Sequence, residues 1–457
     1  MQWVGREPSA RDQLPIDNQK SSIKNREMHH FHYIDNTLYG EDVPVAAIAQ
    51  AVGTPFYLYS HATLTRHFKA FDGAFDGMKH LTCFSMKSNS NMAILRLFAR
   101  MGGGVDIVSG GELYRALKAG VDPSKIVYSG VGKGISDLEY ALKSGILMFN
   151  AESAQEIQKL NEVSERIGKR ARVAIRVNPD VDPKTHPYIS TGLKENKFGI
   201  DIAEALEQYA VAARLDGLDV TGVSCHIGSQ LTQVSPFLDA LRKLKEFIQR
   251  LSDMGITISH LDVGGGLGIT YDKEDPPHPR DYARKVQEEL GTTDVTLILE
   301  PGRVIVGNAG ILITKVLYTK ATREKMFFVV DAAMNDLMRP SLYHSYHAIQ
   351  PVTIAGREKV RADIVGPICE SGDFLAKGRE VEMLEPGDLV AVMSAGAYGF
   401  SMSSTYNSRP RVCEVMVKGD RFYTIREREG FEDLIRGESL PDFLRANGEL
   451  GRMTGDS

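Results

Sequence analysis

No two of the four cysteines of this chain pair up. Cys83, Cys225, Cys369 and Cys413 form no CxxC and have no metal-like spacing with histidine. That speaks against a disulfide framework and a structural zinc site, and makes a reducing cytoplasm the expected compartment. No apolar run is long enough to span a membrane. The first 30 residues lack an apolar core, so they do not read as a secretory signal, and 1–30 is expected to be a disordered extension. Low-complexity sequence is absent beyond that tail. The charge is also unremarkable: a net −5 argues against nucleic acid as the main partner. With 42% hydrophobic and 25% charged residues the chain has the make-up of a soluble globular protein. At 457 residues it exceeds one ordinary core, so two domains are expected.

One unit recurs between about residues 80 and 310. A short apolar run leads into a polar or glycine-bearing turn, then usually into a helix-period segment. The runs are 81–85, 105–108, 125–128, 146–149, 173–177, 220–225, 259–263 and 295–299. Amphipathic stretches lie between them, at 111–119, 137–143, 154–167 and, most clearly, 238–253. Eight strands alternating with helices predict an α/β fold with a closed (β/α)8 barrel of the TIM type over 51–310. A doubly wound open sheet stays open, because periodicity does not show closure. After Gly310 long helical segments are few and strand-like runs follow at 311–318, 326–331, 352–354, 389–393 and 411–417. Residues 311–457 therefore read as a C-terminal antiparallel β domain. Residues 31–50 read as a strand and linker joining that domain.

In such a barrel, chemistry gathers at the carboxyl ends of the strands. Those ends are heavily loaded here. The first run ends in Met86-Lys87-Ser88-Asn89, and the second holds Asp106. The fifth holds Arg176, the sixth ends in His226-Ile227-Gly228-Ser229, the seventh in Asp262 and Gly264-Gly265-Gly266, and the eighth in Glu300-Pro301-Gly302-Arg303. A buried carboxylate and guanidinium need partners. Arginine's planar fork suits a phosphate, and a glutamate suits a protonated ring nitrogen. Pyridoxal phosphate (PLP) offers both groups; an ion pair closing the strand end is the plainer alternative. Lys87 is either a solvated surface charge or an amine whose pKa burial lowers, as a Schiff-base lysine requires. The glycine triplet either lets backbone N–H groups approach a phosphate or makes an ordinary tight turn. It lacks the spacing of a dinucleotide fingerprint. Ser229 could add a hydroxyl to the same phosphate. His226 is either a hydrogen-bonded core histidine or a flat ring stacked on the cofactor.

Taken in order, these pieces resemble the PLP-dependent decarboxylases of the alanine-racemase-like barrel fold (group IV decarboxylases). The resemblance runs from Thr54-Pro55-Phe56-Tyr57 to Tyr398-Gly399, through Phe84-Ser85-Met86-Lys87-Ser88-Asn89, GVDIVSGGEL at 104–113, HIGSQ at 226–230, LDVGGGLG at 261–268 and EPGR at 300–303. It implies that Lys87 carries PLP as a Schiff base and that Glu300 faces the pyridine nitrogen. Racemases of the fold place an arginine there. The remaining cofactor contacts it implies are Asp106, Arg176, His226, Ser229, Gly264, Gly265, Gly266, Pro301, Gly302, Arg303 and Tyr398.

Three further motifs resemble diaminopimelate decarboxylases: Met338-Arg339-Pro340-Ser341-Leu342-Tyr343, Gly366-Pro367-Ile368-Cys369-Glu370-Ser371-Gly372-Asp373, and the 186–192 loop followed by Lys197-Phe198-Gly199. The implied reaction takes meso-2,6-diaminopimelate to L-lysine and CO2. Arg303, Arg339 and Tyr343, with Tyr398, would hold the distal carboxylate, and Glu370 its ammonium. On its own, Arg339 is as well read as a surface ion pair. The resemblance also makes Cys369 a proton donor reaching into a partner subunit's site, hence a homodimer; alone, Cys369 reads as a semi-buried thiol. Catalysis would then rest on Lys87, Cys369, His226 and Glu300, with no metal. The alternatives are another basic amino-acid or carboxynorspermidine-type decarboxylase, a racemase, or a non-catalytic PLP-binding protein of the same fold.

Overall fold

The eight apolar runs are eight parallel strands, and they close. In the computed structural model, which describes residues 29–181 and 197–444, the strands are His80–Ser85, Gly104–Ile107, Ile126–Tyr128, Met148–Ala151, Ala171–Asn178, Leu218–Ser224, His260–Asp262 and Thr296–Leu299. Each pairs in parallel with the next, and Leu297 of the eighth pairs with His80 of the first. This closure excludes the open sheet. Nearly every residue of strands two to four is buried, as expected of parallel strands wrapped by helices.

The surrounding helices follow from local signals. Ser109 and Ser153 accept the N–H of Glu112 and Glu156, and so start the helices Gly110–Ala119 and Ala154–Ile167. The helix Ser235–Asp253 turns Leu241, Leu244, Phe247 and Leu251 inward. Burying each contributes roughly 1.5–3 kcal/mol before entropy is counted.

The second domain centres on the long strand Gly310–Ala321, which pairs antiparallel with Met326–Val330 and with Leu389–Val392. Lys359–Val365, Phe374–Glu382 and Arg421–Arg426 are strands that the sequence reading missed, and the strand expected at 352–354 lies at Ile349–Pro351. Most of these pairings are antiparallel; Met326–Val330 with Lys359–Val365 is parallel.

The domain limits need one correction. Residues 56–60, placed with the barrel by the sequence reading, form a fully buried strand of the second domain. Phe56–Ser60 lies between Gly310–Ala321, antiparallel, and Cys413–Lys418, parallel. Its alternation explains this: Phe56 and Leu58 pack into the second domain's core, while Tyr57 and Tyr59 face the barrel side. Residues 31–44 form a small three-stranded antiparallel sheet of their own, tied to the second domain where Leu38 N–H donates to the Val352 carbonyl. The expectations for residues 1–28 and for the 186–192 loop fall outside the described residues.

Candidate active site

Two clusters of opposite charge form at the carboxyl ends of the barrel strands, the second with residues of the C-terminal domain. The first is acidic. Lys87 sits in a single 3-10 turn, Met86–Ser88, directly after the first strand, and its Nζ lies 2.9 Å from Asp106 Oδ2 on the second strand. Asp106 is completely buried, whereas the Lys87 side chain keeps 37% exposure. Asp262 and Glu300, at the ends of strands seven and eight, are both buried beside them. Asn150, from the fourth strand, donates to Asp262 Oδ2 at 2.7 Å and to Ser129 Oγ at 3.1 Å. Ser129 in turn donates to Glu300 Oε1 at 3.3 Å.

Three carboxyl groups around one amine cannot all ionise freely. Burial, then the neighbouring Asp106 and Asp262, push the Glu300 carboxyl well above its ordinary range. Burial likewise pushes Asp262 up to about 6. The amine does not behave as the sequence predicts. Burial alone would lower its pKa, but Asp106 and Glu300 outweigh burial and raise it. Lys87 is therefore held as an ammonium by Asp106.

The second cluster is basic. Arg303, in the short helix Arg303–Val306 after strand eight, donates to Tyr271 Oη at 2.7 Å and to Ser229 Oγ at 3.0 Å. Arg339 donates to the same Tyr271 Oη at 2.8 Å and to Ser345 Oγ at 3.2 Å. His347 Nε2 stands 3.2 Å from Arg339, and its Nδ1 is 2.8 Å from the Met393 carbonyl. Burial, then Arg339, lower the His347 pKa to about 3, so the ring is neutral and accepts from the arginine. Both arginines are buried, and among the described residues no carboxylate pairs with either. Tyr398 lies 4.8 Å under the Arg303 guanidinium and Tyr343 is close to it. Tyr398 adopts φ +57°, an uncommon conformation for a bulky residue, held by its N–H to the Ser88 carbonyl at 2.8 Å. The lysine turn and the tyrosine loop are thereby fastened together.

His226 links the clusters. Its Nδ1 accepts from Gly265 N–H at 3.2 Å, and burial, with Arg176 and Lys87 nearby, keeps the ring neutral. Arg176 forms a buried ion pair with Glu152 at 2.9 Å and lies over the Phe198 ring. The glycine turn is packed tightly. A Cβ on Gly265 would stand 2.0 Å from the Glu300 carbonyl oxygen, and Gly266 has φ +115°. Gly264 N–H is given to Asp262 and Gly265 N–H to His226, so the turn also locks strand ends together.

Cys369 and Glu370 lie elsewhere on this chain, exposed in the loop between Lys359–Val365 and Phe374–Glu382. Asp373 holds that loop by accepting from Met334 and Ile368 N–H, both at 2.7 Å. The sequence reading missed Ser129, Asn150 and Glu152, although the strand-end rule applied to runs three and four would have found them. It also missed Tyr271, Ser345 and His347, which no motif marks.

The residues fit PLP. An amine, a buried carboxyl and a hydroxyl-guanidinium pair stand at neighbouring strand ends, matching an aldehyde, a ring nitrogen and a phosphate in turn. Buried polar atoms without a partner among the described residues include Asp106 Oδ1 and Arg303 Nε. Among these residues no cluster could hold a metal ion, and no helix is long and apolar enough to cross a membrane.

Comparison with known proteins agrees. Residues 61–307 match the pyridoxal binding domain of pyridoxal-dependent decarboxylases. Diaminopimelate decarboxylase of Pseudomonas aeruginosa is 54% identical over 410 residues, covering 90% of this chain and 99% of the relative. That of Haemophilus influenzae is 51% identical, covering 90% and 100%. The crystal structure of the Helicobacter pylori diaminopimelate decarboxylase complexed with L-lysine superimposes with a TM-score of 0.83 at 46% identity, covering 86% of this chain and 98% of that one. The chain belongs to the diaminopimelate decarboxylase family of pyridoxal-dependent decarboxylases.

Proposed function

We propose that this chain is a PLP-dependent carboxy-lyase that converts meso-2,6-diaminopimelate to L-lysine and CO2, the last step of lysine biosynthesis. One observation carries the substrate choice: two buried arginines converge on the Tyr271 hydroxyl with no carboxylate pairing them among the described residues, beside the Lys87 and Glu300 cluster. A diamine substrate would need the opposite charge there. A second amino-carboxylate centre matches it, because a guanidinium fork binds a carboxylate in two places.

In this reading Lys87 is the amine that would hold the cofactor's aldehyde carbon. Glu300 would face the ring nitrogen and His226 the ring. Ser229, Gly266, Gly302, Arg303 and Tyr398 would hold the phosphate, with Gly264 and Gly265 shaping the turn. Bound there, PLP supplies an electron sink for the pair left behind by CO2. Asp106 keeps the Lys87 ammonium in place until the cofactor arrives. Arg303, Arg339 and Tyr343 orient the distal carboxylate, which leaves the D-configured centre as the one to be decarboxylated. Cys369 and Glu370 complete the site from a partner subunit, Glu370 holding the distal ammonium and Cys369 returning a proton. Their exposed loop on this chain supports a homodimer with shared sites. A cytoplasmic location is part of the proposal, supported by four free thiols, one of them exposed.

The test is CO2 release from meso-diaminopimelate against ornithine, arginine and carboxynorspermidine. Faster turnover of any of these three overturns the substrate. For site sharing, Lys87→Ala and Cys369→Ala proteins, each inactive, are mixed after dissociation. Returning activity is expected; none would place both residues in one subunit's site.

A further inference from the structure

Glu300 does not stand alone at its strand end. Its carboxyl is in hydrogen-bond contact with Asp262, and the surrounding groups treat the two differently. Asp262 accepts from Gly264 N–H at 2.9 Å on one oxygen and from Asn150 Nδ2 at 2.7 Å on the other. An oxygen pair that already accepts two donors is stabilised as a carboxylate. Among the described residues the one donor to Glu300's carboxyl is Ser129, at a longer 3.3 Å. Between two touching buried carboxyls one proton is shared, and it resides on the group with the weaker donors. That group is Glu300.

We propose that Asp262, fixed by Asn150, is a positioning residue that keeps Glu300 as a neutral acid whose O–H points at Asp262, so that Glu300 brings the proton that the cofactor's ring nitrogen receives. This rests on the reading that Glu300 faces that nitrogen. In the transfer the Glu300 O–H bond breaks and an N–H bond forms. No electrons change hands and no proton comes from solvent. The charged and titratable groups around the pair are Asp106 on strand two, Lys87 after strand one and the buried Cys83 thiol on strand one. Asp106 and Lys87 are already paired with each other, and burial keeps Cys83 neutral, so none of them competes for the proton.

The arrangement has a consequence separate from activity. In the wild-type full-length apoprotein the proton is already in the site. In Asp262→Asn the amide donates to the Glu300 carboxyl instead of accepting its proton, which works against burial and Asp106 and shifts that proton to solution before PLP arrives. Titration calorimetry of PLP into each apoprotein, in buffers of different ionisation enthalpy near neutral pH, counts those protons. Asp262→Asn is expected to take up roughly one proton more than wild type. Equal counts would overturn the proposal.

Should Asp262→Asn not fold, infrared difference spectra of wild type decide. A protonated-carboxyl band is expected in the apoprotein and should vanish on PLP binding and in Glu300→Gln. Absence of that band from the wild-type apoprotein sinks the idea. The underlying reading fails in a different way: 15N-labelled PLP would then show the same ring-nitrogen signal in Glu300→Gln as in wild type.

Discussion

The acidic cluster on the barrel's strand ends and the basic cluster it shares with the second domain stand on either side of Tyr398 yet solve opposite problems. Around Lys87 three buried carboxyls crowd one amine, and protons rather than partners keep the charge down. Around Tyr271 two buried guanidiniums have no carboxylate from the described residues, and a guanidinium cannot shed its proton to become neutral. The acidic side can therefore be complete before any ligand arrives, whereas the basic side is built to be completed by an anion. The difference separates the side suited to an aldehyde and a ring nitrogen from the side suited to anions, a phosphate at Arg303 and a second carboxylate at Arg339.

Five variants probe that contrast. Lys87→Ala removes the amine that the acidic side surrounds. Turnover should fall on the order of 10⁴-fold or more, and the visible absorption of the imine between Lys87 and PLP should disappear. An unchanged spectrum would remove Lys87 from its role. Arg339→Ala should cut kcat/KM for diaminopimelate by on the order of 10²- to 10³-fold while PLP affinity is unchanged. A matching loss of PLP affinity would merge the two clusters into one.

The pH response should then separate them. Asp262 is pushed up to about 6, so its stabilising contribution is whole below its ordinary 3.8 and is lost as pH rises through about 6. His347 is lowered to about 3 from 6.5, so the unfolded chain binds the extra proton in that window and stability falls as pH falls through it. In denaturant titrations of the apoprotein, Asp262→Asn should gain on wild type as pH rises, by about 3 kcal/mol, and His347→Gln as pH falls, by about 5 kcal/mol. The same sign for both would break the contrast. The mildest change is Tyr271→Phe. It leaves two guanidinium N–H groups without their shared acceptor, a cost of about 1–3 kcal/mol. A roughly tenfold loss in kcat/KM is expected.

The barrel was readable because a parallel strand buried on both faces must be apolar, so eight runs stood out from 81–85 to 295–299. Strand-end position then marked Lys87, Asp106, Asp262, Glu300 and Arg303 correctly as neighbours. Pairing partners were less readable. Phe56–Ser60 looks like any short strand, and what places it in the other domain is its contact with strands near residues 311 and 415. Lys359–Val365 and Phe374–Glu382 escaped notice because charged residues interrupt them. Tyr271 and His347 act through where the fold sends them, a property that spacing does not encode. The direction of the Lys87 pKa was misjudged for a related reason: burial is visible in a sequence, whereas the Asp106 oxygen 2.9 Å away is a product of folding.

Phe56–Ser60 also has a consequence for how the molecule is made. During synthesis this strand leaves the ribosome before the whole barrel, and both of its partners emerge only after the barrel is finished. Until then an apolar five-residue segment with two open edges has to stay unpaired, the condition under which chains stick to one another. It also means that the chain cannot be cut into two autonomous pieces near residue 310. A fragment beginning there would fold around a missing central strand, and it should recover its sheet only when a peptide carrying Phe56–Ser60 is supplied in trans.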